Sequence, residues 1–101
     1  MSIQAIQRGV SGMKLGERKL AASAHNTANL LTEGFARVQV DGQEAEGGGV
    51  QAVTRTASPD SGPNLVADVI EQKSAAIVYR ANLRTVQTAT DMLGDLLNTR
   101  G

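Results

Sequence analysis

Apolar positions recur along the first third of the chain at Ile3, Ile6, Val10, Met13, Leu20, Ala24 and Leu31, in steps of three and four or their sum. Extending the register adds Glu17 and Thr27, so seven of nine positions are apolar. This spacing predicts a heptad-type helix over residues 2–33. A second register runs through Leu65, Val69, Gln72, Ala76, Tyr79, Leu83, Val86, Thr90, Leu93 and Leu97, alternating steps of four and three without a slip. It predicts a helix over residues 64–99, with Asn64 as N-cap and Asp68 and Glu71 near its positive end. At a rise of about 1.5 Å per residue that helix spans about 50 Å, more than the diameter of a globule of ~100 residues.

Between the helices the pattern changes. Phe35, Arg37, Gln39 and Asp41 alternate with Ala36, Val38 and Val40, which predicts a short strand. Val50, Ala52 and Thr54 predict a weaker second strand after Gly47-Gly48-Gly49. Asp41-Gly42 is a good turn pair, and Ser58 to Pro63 is a turn-rich breaker. At the junction with the first helix, Gly34 can adopt the left-handed conformation that ends a helix, and Phe35 can fold back onto Leu30.

The expected fold is therefore mainly α. Two long terminal helices (residues 1–35 and 64–101) form an antiparallel coiled-coil hairpin, joined by a short, flexible, irregular or β-like connector over residues 36–63. Ile70, Ile77 and Met92 lie beside the second register and are expected to stay exposed after pairing, as at a protein-binding surface.

Three glycines, Gly9, Gly12 and Gly16, sit inside the first helix and each costs about 1 kcal/mol against alanine. Two readings stand: a frayed or kinked start, or close approach by a packed neighbour. Composition bears on the choice of partners. With one Phe, one Tyr and no Trp, the chain lacks the bulky anchors of a small core. Without cysteine it has neither disulfides nor a thiolate metal site. A small chain with so little to bury depends on partners. Ten basic residues balance ten acidic ones, so there is no electrostatic footprint for nucleic acid or an anionic membrane. No stretch approaches the roughly 18 apolar residues of a membrane span, and no cleavable secretory signal is expected.

Candidate chemistry is sparse. His25 is alone on its helix, and Ser11 and Ser23 have no base placed to activate them. Gly47-Gly48-Gly49 has no following Lys-Ser or Lys-Thr and opens no helix. Asp91 and Asp95 share a face of the last turns and read as a solvated pair. No catalytic, cofactor-binding or metal-binding residue is expected. The conspicuous polar residues are the amides Asn26, Asn29 and Asn82, poor mid-helix residues that can fix register when buried in a seam.

Those amides belong to two longer patterns. Ser11-Gly12-Met13, Leu20, Asn26-Thr27-Ala28-Asn29 and Thr32-Glu33-Gly34-Phe35 resemble the N-terminal signature of bacterial flagellar basal-body rod proteins and the related axial hook proteins. Tyr79-Arg80-Ala81-Asn82-Leu83 and Met92-Leu93 are similar to their C-terminal signature. The resemblance covers residues 2–37 and 64–98 and is nearest to the small proximal rod proteins. Thr27 stands where Ile is usual, and the middle region is short. The resemblance implies a structural subunit without enzymatic activity or cofactor. Its assembly residues would be Ser11, Gly12, Met13, Leu20, Asn26, Ala28, Asn29, Thr32, Gly34, Phe35, Tyr79, Ala81, Asn82, Leu83, Met92 and Leu93. It implies terminal helices lining a helical tube. Partners would be copies of the chain, other axial proteins and the flagellar type III export apparatus, without nucleic acid or membrane insertion. The implied place is the periplasm-spanning rod. Alternatives are a secreted helical-hairpin interaction module, or a shortened rod paralogue acting as an adaptor.

Overall fold

The computed structural model describes residues 3–57 and 64–100, with side chains through Asn98. The expected helix start at Ser2 and the Ser58–Pro63 breaker lie outside the described residues. Four elements follow in order: α1 (Ile3–Ala28), β1 (Val38–Glu44), β2 (Val50–Thr56) and α2 (Leu65–Arg100). The molecule is a rod of 62 × 25 × 14 Å, its length set by α2. The mainly α hairpin expected from the two registers is the fold observed.

The helices run antiparallel, and their contacts fix the pairing. Gly9 lies against Val86, Gly12 against Asn82 and Gly16 against Tyr79. Nearer the connector, the Gln72 amide donates to the Thr27 hydroxyl (3.1 Å) and the Ser23 hydroxyl to the Asp68 carbonyl oxygen. Asn64 caps α2 as expected, its Oδ1 accepting the Ala67 N–H at 3.0 Å.

The seam, however, is not the apolar register. On α1 it runs through Ala5, Gly9, Gly12, Gly16, Lys19 and Ser23, all buried or half-buried. Each is one residue before a position of the expected stripe. On α2 it runs through Asp68, Gln72, Ala75, Tyr79, Asn82, Val86, Ala89 and Leu93. Only Gln72, Tyr79, Val86 and Leu93 of the expected set remain. Asp68, Ala75, Asn82 and Ala89 replace Val69, Ala76, Leu83 and Thr90. The reason is steric. A Cβ on Gly16 would come within 3.1 Å of the Ala75 carbonyl oxygen, and one on Gly9 within 2.6 Å of Val86 Cγ2. The backbones meet closely because the side chains between them are nearly absent. Of the two readings of the glycines, close approach is the one observed.

The connector is a regular hairpin. β1 pairs antiparallel with β2, from Val38↔Thr56 to Glu44↔Val50. The expected turn at Asp41-Gly42 is mid-strand instead. The chain reverses over Ala45 to Gly49, where Gly47, Gly48 and Gly49 have φ of 87°, 103° and 82°. Three consecutive positive φ values select glycine, which decides the turn in favour of this run. Gly42 serves packing: a Cβ there would meet Leu15 Cδ2 at 2.7 Å.

α1 also ends earlier than expected, at Ala28 rather than near Glu33. The Asn29 side chain donates to the His25 carbonyl oxygen (3.0 Å), and the Thr32 hydroxyl donates to Asn29 Oδ1 (3.2 Å). A side chain that competes for the last carbonyls favours leaving the helix. Gly34, at φ 73°, closes a separate turn in which the Phe35 N–H donates to the Thr32 carbonyl. The Phe35 ring packs edge-on to His25, with centroids 5.2 Å apart.

Candidate functional site

Three faces of α1 follow one rule. The seam residue faces α2, the residue before it faces the β-hairpin, and the residue after it faces outward. Before Gly9, the Arg8 guanidinium lies against Gly48. Before Gly12, Ser11 Oγ accepts the Val50 N–H at 3.1 Å. Before Gly16, Leu15 packs on Gly42. After these same glycines come Val10, Met13 and Glu17. The β-hairpin touches α1 and leaves α2 untouched among the described residues. A rotation of about 100° per residue makes the two flanks of α1 nearly opposite.

In an antiparallel pair, the positions one residue after each seam lie on the same side. Ile6, Val10, Met13, Leu20 and Ala24 of α1 therefore stand beside Val69, Ala76 and Leu83 of α2. This is the α1 register and half of the α2 register read from the sequence, displaced from the seam onto one open face. Val10, Leu20, Leu65 and Val69 are 36–49% exposed. Val66, Ile70 and Ile77, farther round α2, are 60–70% exposed, and Leu96 and Leu97 near the end of α2 are 60% and 65% exposed. So much uncovered apolar side chain is characteristic of a docking surface.

The residues of the two signatures divide by what they touch. Gly12, Tyr79, Asn82 and Leu93 form part of the seam. A Cβ on Gly12 would overlap the Asn82 amide, and Asn82 Nδ2 donates to the Val78 carbonyl at 2.8 Å. Ser11 and Asn26 each hold one strand of the hairpin. Asn26 is 4% exposed; its Nδ2 donates to the Val38 carbonyl (2.8 Å), and its Oδ1 accepts the Val38 N–H (2.7 Å). It pairs with β1 as a neighbouring strand would. Asn29, Thr32, Gly34 and Phe35 shape the turn after α1. Met13 and Leu83 are half-buried on the open face, while Leu20, Ala28, Ala81 and Met92 are exposed. Only Asn82 of the three amides has the register-fixing place expected of them.

Sequence reasoning missed one feature. Arg37, just before β1, donates through Nη2 to Asp68 Oδ1, and the Asp68 side chain is fully buried. Arg37 Nε and Asp68 Oδ2 have no hydrogen-bond partner among the described residues. Together with the Ser23 bond to the same residue's carbonyl, this pair locks the connector, α1 and α2 at one end. The two residues are 31 apart, and nothing in their local patterns marks them as partners.

No family profile and no curated protein sequence matches this chain.

Among the described residues no three His, Cys, Asp or Glu side chains come together as a metal site. No described helix is long and apolar enough to cross a membrane. The cleft between α1, β1 and α2 has a volume of 220 Å³ and is lined by Lys19, Asp41, Arg55 and Glu71 among others. It is open and of mixed charge, and the groove between α1 and β2, of 760 Å³ and lined by Ser11, Leu15, Glu17 and Val50 among others, is more open still. The open apolar face is the more distinctive surface.

Proposed function

We propose that this chain is a structural subunit of the bacterial flagellar basal-body rod, assembling with copies of itself and other axial proteins into a helical tube. One observation carries the reading: a helix pair in which α1 turns its glycines toward α2 leaves the apolar stripe of α1 and half that of α2 on an open face. A chain with that division of labour completes its core only with neighbours. The choice of the rod among possible assemblies rests on the resemblance of the two terminal signatures. In this reading the subunit performs no turnover, and it reaches the growing rod through the flagellar export apparatus. The shortness of the β-hairpin connector favours one second reading, a trimmed axial relative serving as an adaptor.

Electron microscopy of basal bodies from a strain lacking the gene tests the proposal. Truncated or absent rods and lost motility are expected. Intact rods with normal swimming would overturn it.

A further inference from the structure

A second apolar row lies on α2, about half a turn round from the seam. It runs through Val66, Ile70 and Ile77, which are 70%, 60% and 66% exposed, with Lys73 between them. Arg80 and Arg84 carry the row on toward the end of the helix. Its steps from Val66 are four, three, four, three and four. The open stripe of α1 has the same steps read backwards, through Ala24, Leu20, Glu17, Met13, Val10 and Ile6. Within one chain the two rows face away from each other. Laid antiparallel between two chains, they match position for position. Val66 then meets Ala24, Ile70 meets Leu20 and Ile77 meets Met13. Lys73 meets Glu17, the one charge of the α1 stripe. Arg80 and Arg84 fall on Val10 and Ile6, which their methylene stems cover. Sliding by a heptad one way sets Lys73 on Ala24 and Ile70 on Thr27; the other way, it sets Val66 on Glu17 and Lys73 on Val10. Neither Lys73 nor Glu17 is in an ion pair among the described residues. Glu17 also borders the groove beside β2, so it reaches the contact from the rim.

We infer that the outer row on α2 of a second copy docks on the α1 stripe of this one, in that register. This rests on the assembly reading above and names the surface each partner uses. The contact joins two different surfaces, so it carries on from copy to copy, as a tube requires, instead of ending at a pair. The docked α2 runs antiparallel to the α1 beneath it and parallel to the α2 beside it, so every copy keeps the same polarity. The β-hairpin, on the opposite flank of α1, stays clear of the contact. Each copy covers both of its apolar rows, one on each neighbour. A face-to-face pairing of two α1 stripes would leave Val66, Ile70 and Ile77 in water.

The chain has no cysteine, so introduced ones report contacts directly. Leu20→Cys and Ile70→Cys are made in separate full-length chains, shown by circular dichroism to fold, and oxidised alone and mixed. The mixture should give a disulfide-linked heterodimer of doubled mass on a non-reducing gel, and each chain alone should give none. Met13→Cys mixed with Ile77→Cys, a heptad further along the same contact, should behave alike. One chain carrying both Leu20→Cys and Ile70→Cys should give a ladder of multimers. Leu20→Cys mixed with Ile77→Cys should link about tenfold less or weaker still, since those positions lie about 10 Å apart along the contact. Homodimers of either single variant, no heterodimer in the two matched mixtures, or equal linking of the mismatched pair overturns this docking. In that case a wild-type chain that still sediments as an assembly leaves the assembly reading standing. A wild-type chain that stays monomeric at every concentration overturns both.

Discussion

Gly12 and Gly94 are both helical glycines, yet their surroundings are opposite. A Cβ on Gly12 would overlap the Asn82 amide, whereas one on Gly94 meets nothing within 4 Å. Gly94→Ala should therefore stabilise α2 by up to about 1 kcal/mol, the ordinary propensity gain. Gly12→Ala forfeits that gain to overpacking and should destabilise the chain by about 1–3 kcal/mol. Denaturant melts of the two variants, followed by circular dichroism, check both signs together; equal effects would mean that the seam is not where it is placed. The Arg37–Asp68 pair gives a second prediction at this scale. Asp68→Ala leaves a guanidinium only 12% exposed without its partner and should cost about 3–5 kcal/mol. Arg37→Met with Asp68→Leu should cost clearly less than the sum of the single changes, as a double-mutant cycle would reveal.

At the scale of elements, the β-hairpin depends on α1 for its attachment. Leu15 is 9% exposed and packs on Gly42, with Ser11 and Asn26 holding the strands on either side. Leu15→Ala should destabilise by about 2–3 kcal/mol and raise amide exchange in β1 and β2 before it affects α2. Uniform exchange across the chain would contradict that order. The existence of these elements was legible in the sequence. Periodicity marks both helices, Asn64 marks the start of α2, and alternation marks both strands. The faces that the two antiparallel helices turn toward each other were not. A helix carrying an apolar stripe beside a stripe of Gly, Ser and Asn can turn either one toward its partner. Periodicity shows the stripe without saying whether the partner is within the chain or outside it. The end of α1 was hidden for a related reason: Asn29 acts through a hydrogen bond to the His25 carbonyl that spacing cannot show. The Arg37–Asp68 pair joins the connector to α2 and leaves no local trace.

For the whole molecule, the division between core and interface is the deciding feature. The sequence suggested apolar helices facing each other. The folded chain turns its smallest residues inward and sets Leu20 and Val69, 47% and 42% exposed, on the open face. If neighbours cover that face, the thermal midpoint should rise with chain concentration, because binding to the native state adds to its stability. The most direct measurement pairs sedimentation with circular dichroism for the Leu20→Glu/Val69→Glu variant of the full chain. The helices should persist while self-association is lost. Loss of the helices, or association unchanged from the wild-type chain, would contradict it.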